Sequence, residues 1–303
     1  MATEAVLLET SLFENLAASL MTMHHPGVTE VSITSVTPED YASETDEVSV
    51  EEPLQIDVGA FHEGGLMRLP MAVTMRTPGS DRELAAGFLF TEGVIRSKND
   101  LVDFQTTAPN TVLATLHAAV PVDPAQFDRH SFVASSCGVC GKRSIAAVLA
   151  MPRPALQPGL PRIESEVVHR LPETQRAAQI NFQRTGGLHA AALFDLTGRL
   201  LAVHEDVGRH NALDKLIGTE LLAGRLPLAN RIVLLSGRTS FELIQKASVA
   251  GITIVAAVGA PTSLAVALAR EARMTLLGFV RDERFNVYSD AGRLVEAVAE
   301  FPR

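Results

Sequence analysis

Arg231-Ile232-Val233-Leu234-Leu235-Ser236-Gly237-Arg238-Thr239-Ser240 opens the part of the chain whose pattern decides the fold. Its aliphatic run is too short for a helix and ends at a Ser-Gly pair, the signature of a strand buried on both faces. A helix follows over 241–250 and stops at Gly251. The alternation then continues, with a strand at 252–258, a helix at 264–274, a strand at 276–280 and a last strand at 285–288. Strands and helices alternating through short loops predict a layered α/β domain with a largely parallel sheet.

Upstream of this block, residues 211–222 read as a helix closed by Gly224, and 189–194 with 200–204 as a hairpin turning through Gly198. A helix is expected over 173–183. Pro152, Pro154, Pro158 and Pro161 break any regular structure between 152 and 163. Earlier still, residues 71–76 form a strand that runs into Pro78-Gly79, and Ser80-x-x-Glu83 reads as a capping box. Leu84, Ala85, Phe88 and Leu89 then share one helical face, with Gly93 as the stop. Strands are expected at 31–36, 47–50, 54–58, 112–116 and 131–133, and a short helix at 142–151. Leu7, Leu8, Leu12, Leu16 and Leu20 place an amphipathic helix within 1–27. The organisation expected is an acidic extension over 1–44, a smaller α+β domain over 45–135, a cysteine loop and proline-rich linker over 136–163, and an α/β domain over 164–303.

Charge is unevenly placed. The 303 residues carry a net charge of −9, yet residues 1–67 hold 13 acidic and no Lys or Arg residues, so 68–303 carry +4. A body this weakly basic suits a small anionic ligand and argues against nucleic acid as a partner. No apolar run of about 18 residues is present to span a membrane. Early basic residues of a secretory or mitochondrial presequence are missing, and two cysteines cannot build a disulfide framework. The expected location is the cytoplasm.

Both cysteines lie in Ser135-Ser136-Cys137-Gly138-Val139-Cys140-Gly141-Lys142. This spacing permits a reversible disulfide, half of a metal site, or a thiolate carrying a transferable group. Zinc needs four ligands, and Cys137 with Cys140 supplies two of them. Zinc nucleobase deaminases place H-x-E before P-C-x-x-C. Here His189-Ala190-Ala191 follows the cysteines, with alanine where the proton-shuttling glutamate belongs. A thioredoxin-like role stays open, although the flanking glycines and serines suit a mobile carrier loop better. A carrier thiolate takes the outer sulfur of a donor persulfide, and the second thiol assists its release. Lys142 and Arg143 favour the thiolate.

Two loops, Ser236-Gly237-Arg238-Thr239-Ser240 and Gly259-Ala260-Pro261-Thr262-Ser263, end neighbouring strands and offer anion cradles, the first with Thr239-x-x-Glu242 as a helix cap. Glu205, Asp206, Arg209, His210, Asp214 and Lys215 crowd a strand-to-helix junction, and Gly186-Gly187 precedes His189. Each has a plainer reading, as a solvated capped loop, a turn or a hydrogen-bonded core histidine.

Six blocks in order carry a resemblance. They are Arg76-Thr77-Pro78-Gly79-x-Asp81-x-Glu83-Leu84-Ala85-x-Gly87-Phe88-Leu89, the cysteine block, Thr185-Gly186-Gly187-Leu188-His189-Ala190-Ala191, Glu205-Asp206-Val207-Gly208-Arg209-His210-Asn211-Ala212, Ser236-Gly237-Arg238 and Gly278-Phe279-Val280-Arg281. Across roughly residues 45–290 the chain resembles the FdhD family of formate dehydrogenase accessory sulfurtransferases. The resemblance implies a cytidine-deaminase-like C-terminal domain and a homodimer. It further implies a sulfur carrier that takes sulfur from a cysteine desulfurase as a cysteine persulfide. The recipient would be the molybdenum bis(molybdopterin guanine dinucleotide) cofactor of formate dehydrogenase. On it, Cys137 is expected to hold the sulfur and Cys140 to assist. Phe279, Val280, Arg281, Asp282, Glu283 and Arg284, with Ser236, Gly237 and Arg238, are expected to bind the cofactor, for which GDP serves as a mimic. No resident metal is expected. A thiol–disulfide oxidoreductase and a non-catalytic cofactor chaperone are the alternatives.

Overall fold

The computed structural model describes residues 27–62, 65–122 and 152–295. The cysteine loop, the strand expected at 131–133, the helix expected at 142–151 and, Gly27 apart, the helix expected within 1–27 lie outside the described residues. A two-stranded ribbon comes first, β1 (Val28–Val36) against β2 (Tyr41–Ser49), antiparallel throughout. Then follow β3 (Glu52–His62), β4 (Gly65–Arg76), helix α1 (Asp81–Thr91), β5 (Leu101–Ala108) and β6 (Thr111–Leu116), whose strands form a sheet in the order β4-β3-β6-β5.

The rest of the chain is built from β7 (Ile163–Glu164), α2 (Ser165–Ala178), α3 (Ile180–Thr185), β8 (His189–Phe194), β9 (Leu200–Asp206), α4 (Arg209–Leu222), β10 (Ile232–Leu235), α5 (Phe241–Val249), β11 (Ile254–Ala257), α6 (Ser263–Glu271), β12 (Thr275–Gly278), β13 (Asn286–Ser289) and β14 (Leu294–Val295). Six of these strands form one sheet ordered β13-β12-β11-β10-β8-β9. Its centre is parallel as expected, β10 to β11 to β12, but β13 and the β8–β9 hairpin join antiparallel, so the sheet is mixed. The reason is local: the five-residue turn after Phe194 permits only a hairpin, whereas a parallel return needs a helical crossover.

Strand alternation explains the apolar runs. Leu193, Val233, Leu235 and Val255 face one core with α4, α5 and α6, while Phe194, Ile232, Leu234 and Ile254 face α2 through Val167, Val168 and Leu171. Both faces are covered, so every residue of β10 and β11 is buried. Helix α1 lies between the two large sheets. Leu84 and Ala85 pack on Leu54, Ile56 and Val112 of the four-stranded sheet, and Ala86, Leu89 and Phe90 join the core that contains Leu213, Leu216 and Ile217 of α4. The α1–α4 crossing is backbone on backbone. A Cβ on Gly87 would fall 1.9 Å from the Asp214 carbonyl oxygen, and one on Gly218 would fall 1.9 Å from that of Glu83.

Several local expectations need correction. Ser80 does not cap α1, because it sits in the left-handed region (φ 56°) and its side chain accepts no cap hydrogen bond. A capping hydroxyl needs extended backbone to reach the first free N–H groups. Thr239 does not cap α5 either; Ser240 holds that position and Thr239 is fully buried. The helix expected over 173–183 starts at Ser165, runs through Pro172 and breaks at Gln179. Strands β11 and β12 and helix α6 stop short of the expected limits.

The proline-rich segment is held by Arg293, which is wholly buried. Its guanidinium donates to the carbonyl oxygens of Leu160 (2.7 Å), Gln157 (2.8 Å) and Arg273 (2.7 Å). No helix among the described residues is long and apolar enough to cross a membrane.

Candidate functional site

The parallel strands all end on one edge of the six-stranded sheet. There the loops after β10, β11 and β12 meet the start of β8, since Leu235 pairs with Ala191. Ligands of α/β sheets collect at such an edge. A cleft of about 650 Å³ opens there, within the usual range for small-molecule sites. One wall is Pro172, Gln175, Arg176, Gln179 and Phe182 from α2 and α3; the other joins residues 186–189 to Ser236, Val258, Val280, Arg281 and Asp282.

Four residues expected to bind the cofactor, Ser236, Val280, Arg281 and Asp282, thus line the same cleft as the diglycine turn and His189. Arg281 is also a brace: Nη1 donates to the carbonyl oxygens of Val258 and Val280, each at 2.9 Å. Ser236 exchanges hydrogen bonds with Ala190, its hydroxyl accepting from the amide at 2.8 Å and its own amide donating to the carbonyl at 3.0 Å. Gly237 leaves room for the His189 ring, 3.1 Å from where its Cβ would stand. Phe279 is half-buried at φ 53°, Arg238, Glu283 and Arg284 are exposed, and a turn over residues 281–284 closes from the Arg281 amide to the Arg284 carbonyl at 2.9 Å.

The two loops read as anion cradles largely satisfy each other. The Thr239 amide donates to Ala260, that of Gly259 to Gly237 and that of Thr262 to Thr239. Those N–H groups are spent in joining the loops. His189 is held below the usual histidine range, first by burial and then by Arg209 and Arg238, against the opposing pull of Asp206. It is therefore neutral at physiological pH.

The charged stretch after β9 turns inward. Asp206, wholly buried, faces the Lys215 ammonium at 2.8 Å and accepts from the amides of Gly208 (2.8 Å) and Thr77 (3.2 Å) and from Asn211 Nδ2 (3.1 Å). Lys215 also donates to the Thr77 carbonyl (2.8 Å), and Asn211 to that of Met75 (2.7 Å). These bonds fasten residues 75–77 and 206–215 into one buried junction. Arg76 closes it with both Asp81 oxygens (2.9 Å each) and Asn110 (2.8 Å). A second buried pair lies deeper. Lys246 Nζ stands 2.8 Å from Asp214 and 2.9 Å from the Thr91 hydroxyl. Burial pushes the Asp214 carboxyl up to about 6, with Lys246 and Thr91 opposing. Burial also disfavours the Lys246 charge, but Asp214, Glu92 and Glu242 outweigh it and raise that group.

Gln175, Gln179 and Phe182 were not among the expected site residues. Their only sequence signal is helical spacing on a segment read as a single helix; burial against the cleft is a tertiary property. Among the described residues no cluster of three or more His, Cys, Asp or Glu side chains is arranged to hold a metal.

With this geometry in view, comparison with known proteins is informative. The sulfur carrier protein FdhD of Streptomyces avermitilis is 46% identical over 260 residues, covering 82% of this chain and 89% of that protein. The protein of the same name from Mycolicibacterium paratuberculosis is 44% identical over 273 residues (86% and 97%), and that from Sulfolobus acidocaldarius 40% over 267 (88% and 98%). A crystal structure from Desulfotalea psychrophila, described as a formate dehydrogenase accessory protein, shares the fold with a TM-score of 0.68 at 22% identity, covering 89% of this chain and 100% of that one. Residues 28–295 match the FdhD/NarQ family, which takes in every described structural element, and the chain belongs to that family.

Proposed function

We infer that the protein is a sulfur carrier and sulfurtransferase serving formate dehydrogenase. In this reading Cys137 attacks the outer sulfur of a cysteine desulfurase persulfide, an S–S bond forms on Cys137, and the desulfurase thiolate leaves. Cys140 then attacks the inner sulfur of Cys137. The transferred sulfur departs as sulfide, two thiols become one disulfide, and a dithiol reductant resets the pair. The recipient, written as substrate, is the molybdenum bis(molybdopterin guanine dinucleotide) of formate dehydrogenase, with its nucleotide end in the cleft. The exposed Arg281 supplies a cation for phosphate, and the glycines at 186 and 187 leave the backbone open to close approach. Action in the cytoplasm as a homodimer completes the proposal.

The observation that carries the reading is the convergence of residues 186–189, Ser236 and 280–282 on one cleft, in a chain whose relatives are named sulfur carriers. The test is intact-mass measurement after incubation with a cysteine desulfurase and cysteine. The expected result is an adduct of one sulfur atom, removed by a dithiol reductant and lost in Cys137→Ala. No adduct on either cysteine would sink sulfur carriage. A reversible disulfide without an adduct would mark an oxidoreductase, and stoichiometric zinc a metal role.

A further inference from the structure

Three glutamines follow one another at four-residue spacing across the break between α2 and α3. Two have spent their side-chain amides. Gln175 Nε2 donates to the Leu234 carbonyl at 3.0 Å, and Gln183 Nε2 to those of Arg176 and Ala177 at 2.9 and 3.1 Å. Gln179, between them, is 3% exposed, lines the cleft, and its Nε2 meets no acceptor. A buried donor without an acceptor destabilises the free protein, so its presence calls for a partner arriving from outside.

The surroundings say what kind of partner. Phe182, with the Arg176 guanidinium 4.0 Å over its ring, stands beside Pro172, Leu188, Val258 and Val280, an apolar lining suited to a flat heterocycle. Asp282 adds a carboxylate, which when ionised only accepts and so repels phosphate. A site offering one amide donor and one two-oxygen acceptor matches guanine best. Guanine presents a carbonyl oxygen beside two N–H donors, which a carboxylate can take together. Adenine presents a single donating group and a ring acceptor; hypoxanthine lacks the exocyclic amine.

We propose that Gln179 is the base-selecting residue of the cleft, donating from Nε2 to the guanine carbonyl oxygen while Asp282 accepts from the guanine N–H groups. This rests on the reading that the cleft holds the nucleotide end of the cofactor. The experiment is calorimetric titration of the full chain with GDP, IDP and ADP. Wild type binds in that order of strength. Gln179→Leu lowers GDP affinity about tenfold, equivalent to about 1.4 kcal/mol, and narrows the GDP-to-ADP ratio accordingly. Gln179→Glu keeps the shape but not the donor and loses GDP at least as much. Free Gln179→Leu melts at or above the wild-type temperature, because an unmet donor has gone. Unchanged GDP affinity in both variants, or equal losses for GDP and ADP, overturns the role of Gln179 while leaving the cleft reading intact. A wild type that binds none of the three overturns both.

Discussion

Replacing Gly218 by alanine sets two effects of opposite sign against each other. In an unobstructed helix the change stabilises by about 1 kcal/mol, since glycine loses more backbone freedom on folding. At the α1–α4 crossing the added Cβ would lie 1.9 Å from the Glu83 carbonyl oxygen, 2.8 Å from its carbon and 2.8 Å from the Gly87 nitrogen, where ordinary contacts begin at 3.4 Å. The obstacles are backbone atoms, so no side chain can rotate away. The helices must part by about 1.5 Å, which loosens Ala86 and Leu89 against Leu213 and Ile217. Overpacking of this kind costs about 1–3 kcal/mol, and more where backbone must move. The expected net loss is about 2 kcal/mol, read as a lower urea midpoint at constant slope. Gly87→Ala produces the same separation from the other side, its Cβ 1.9 Å from the Asp214 carbonyl oxygen. The double variant should therefore lose clearly less than the sum of the single ones. A Gly218→Ala protein as stable as wild type, or strictly additive losses, would refute the account.

Lys246→Met strands Asp214 without its cation in a fully buried place and should cost about 3–5 kcal/mol, whereas adding Asp214→Leu should recover most of that loss; denaturant midpoints of the two proteins decide. His204 is held at about 4 by burial and by Lys215, against an ordinary value of 6.5. A depressed histidine contributes stability above pH 6.5 that is lost as pH falls through 4, so wild type should lose about 3 kcal/mol more than His204→Gln over that range. Equal acid sensitivity of the two proteins, followed by urea titration at each pH, would contradict this.

The central strands of the six-stranded sheet were legible because burial on both faces leaves uninterrupted aliphatic runs, as at residues 232–235 and 254–258. The direction of β8 and β9 was equally legible from the turn at Gly198, and only the generalisation to a largely parallel sheet went too far. The block from Glu205 to Lys215 misled in a different way. Its charges resemble a ligand site because their partners, Thr77, Asn211 and the backbone of Met75, come from segments about 130 residues apart or from the next helix turn. Backbone and amide partners brought in by folding are invisible to spacing, although the ion pair itself, Asp206 with Lys215, lies within the block. Ser80-x-x-Glu83 failed because a capping motif specifies residue types and leaves φ unspecified. Of the cleft, the β-strand side was readable from Ser236 and residues 280–282. The α2–α3 side was not, since Gln179 belongs to no motif and matters through burial alone.

Arg293 has a consequence for the order in which the molecule is completed. Its guanidinium and the backbone around it hold Gln157, Leu160 and Ile163, with the Ile163 amide donating to the Arg293 carbonyl at 2.9 Å. A chain emerging from the ribosome reaches residue 293 long after residue 163. The three guanidinium bonds that hold Gln157, Leu160 and Arg273 therefore form only after residue 293 has been made, and a product cut short before Arg293 never acquires that fastening.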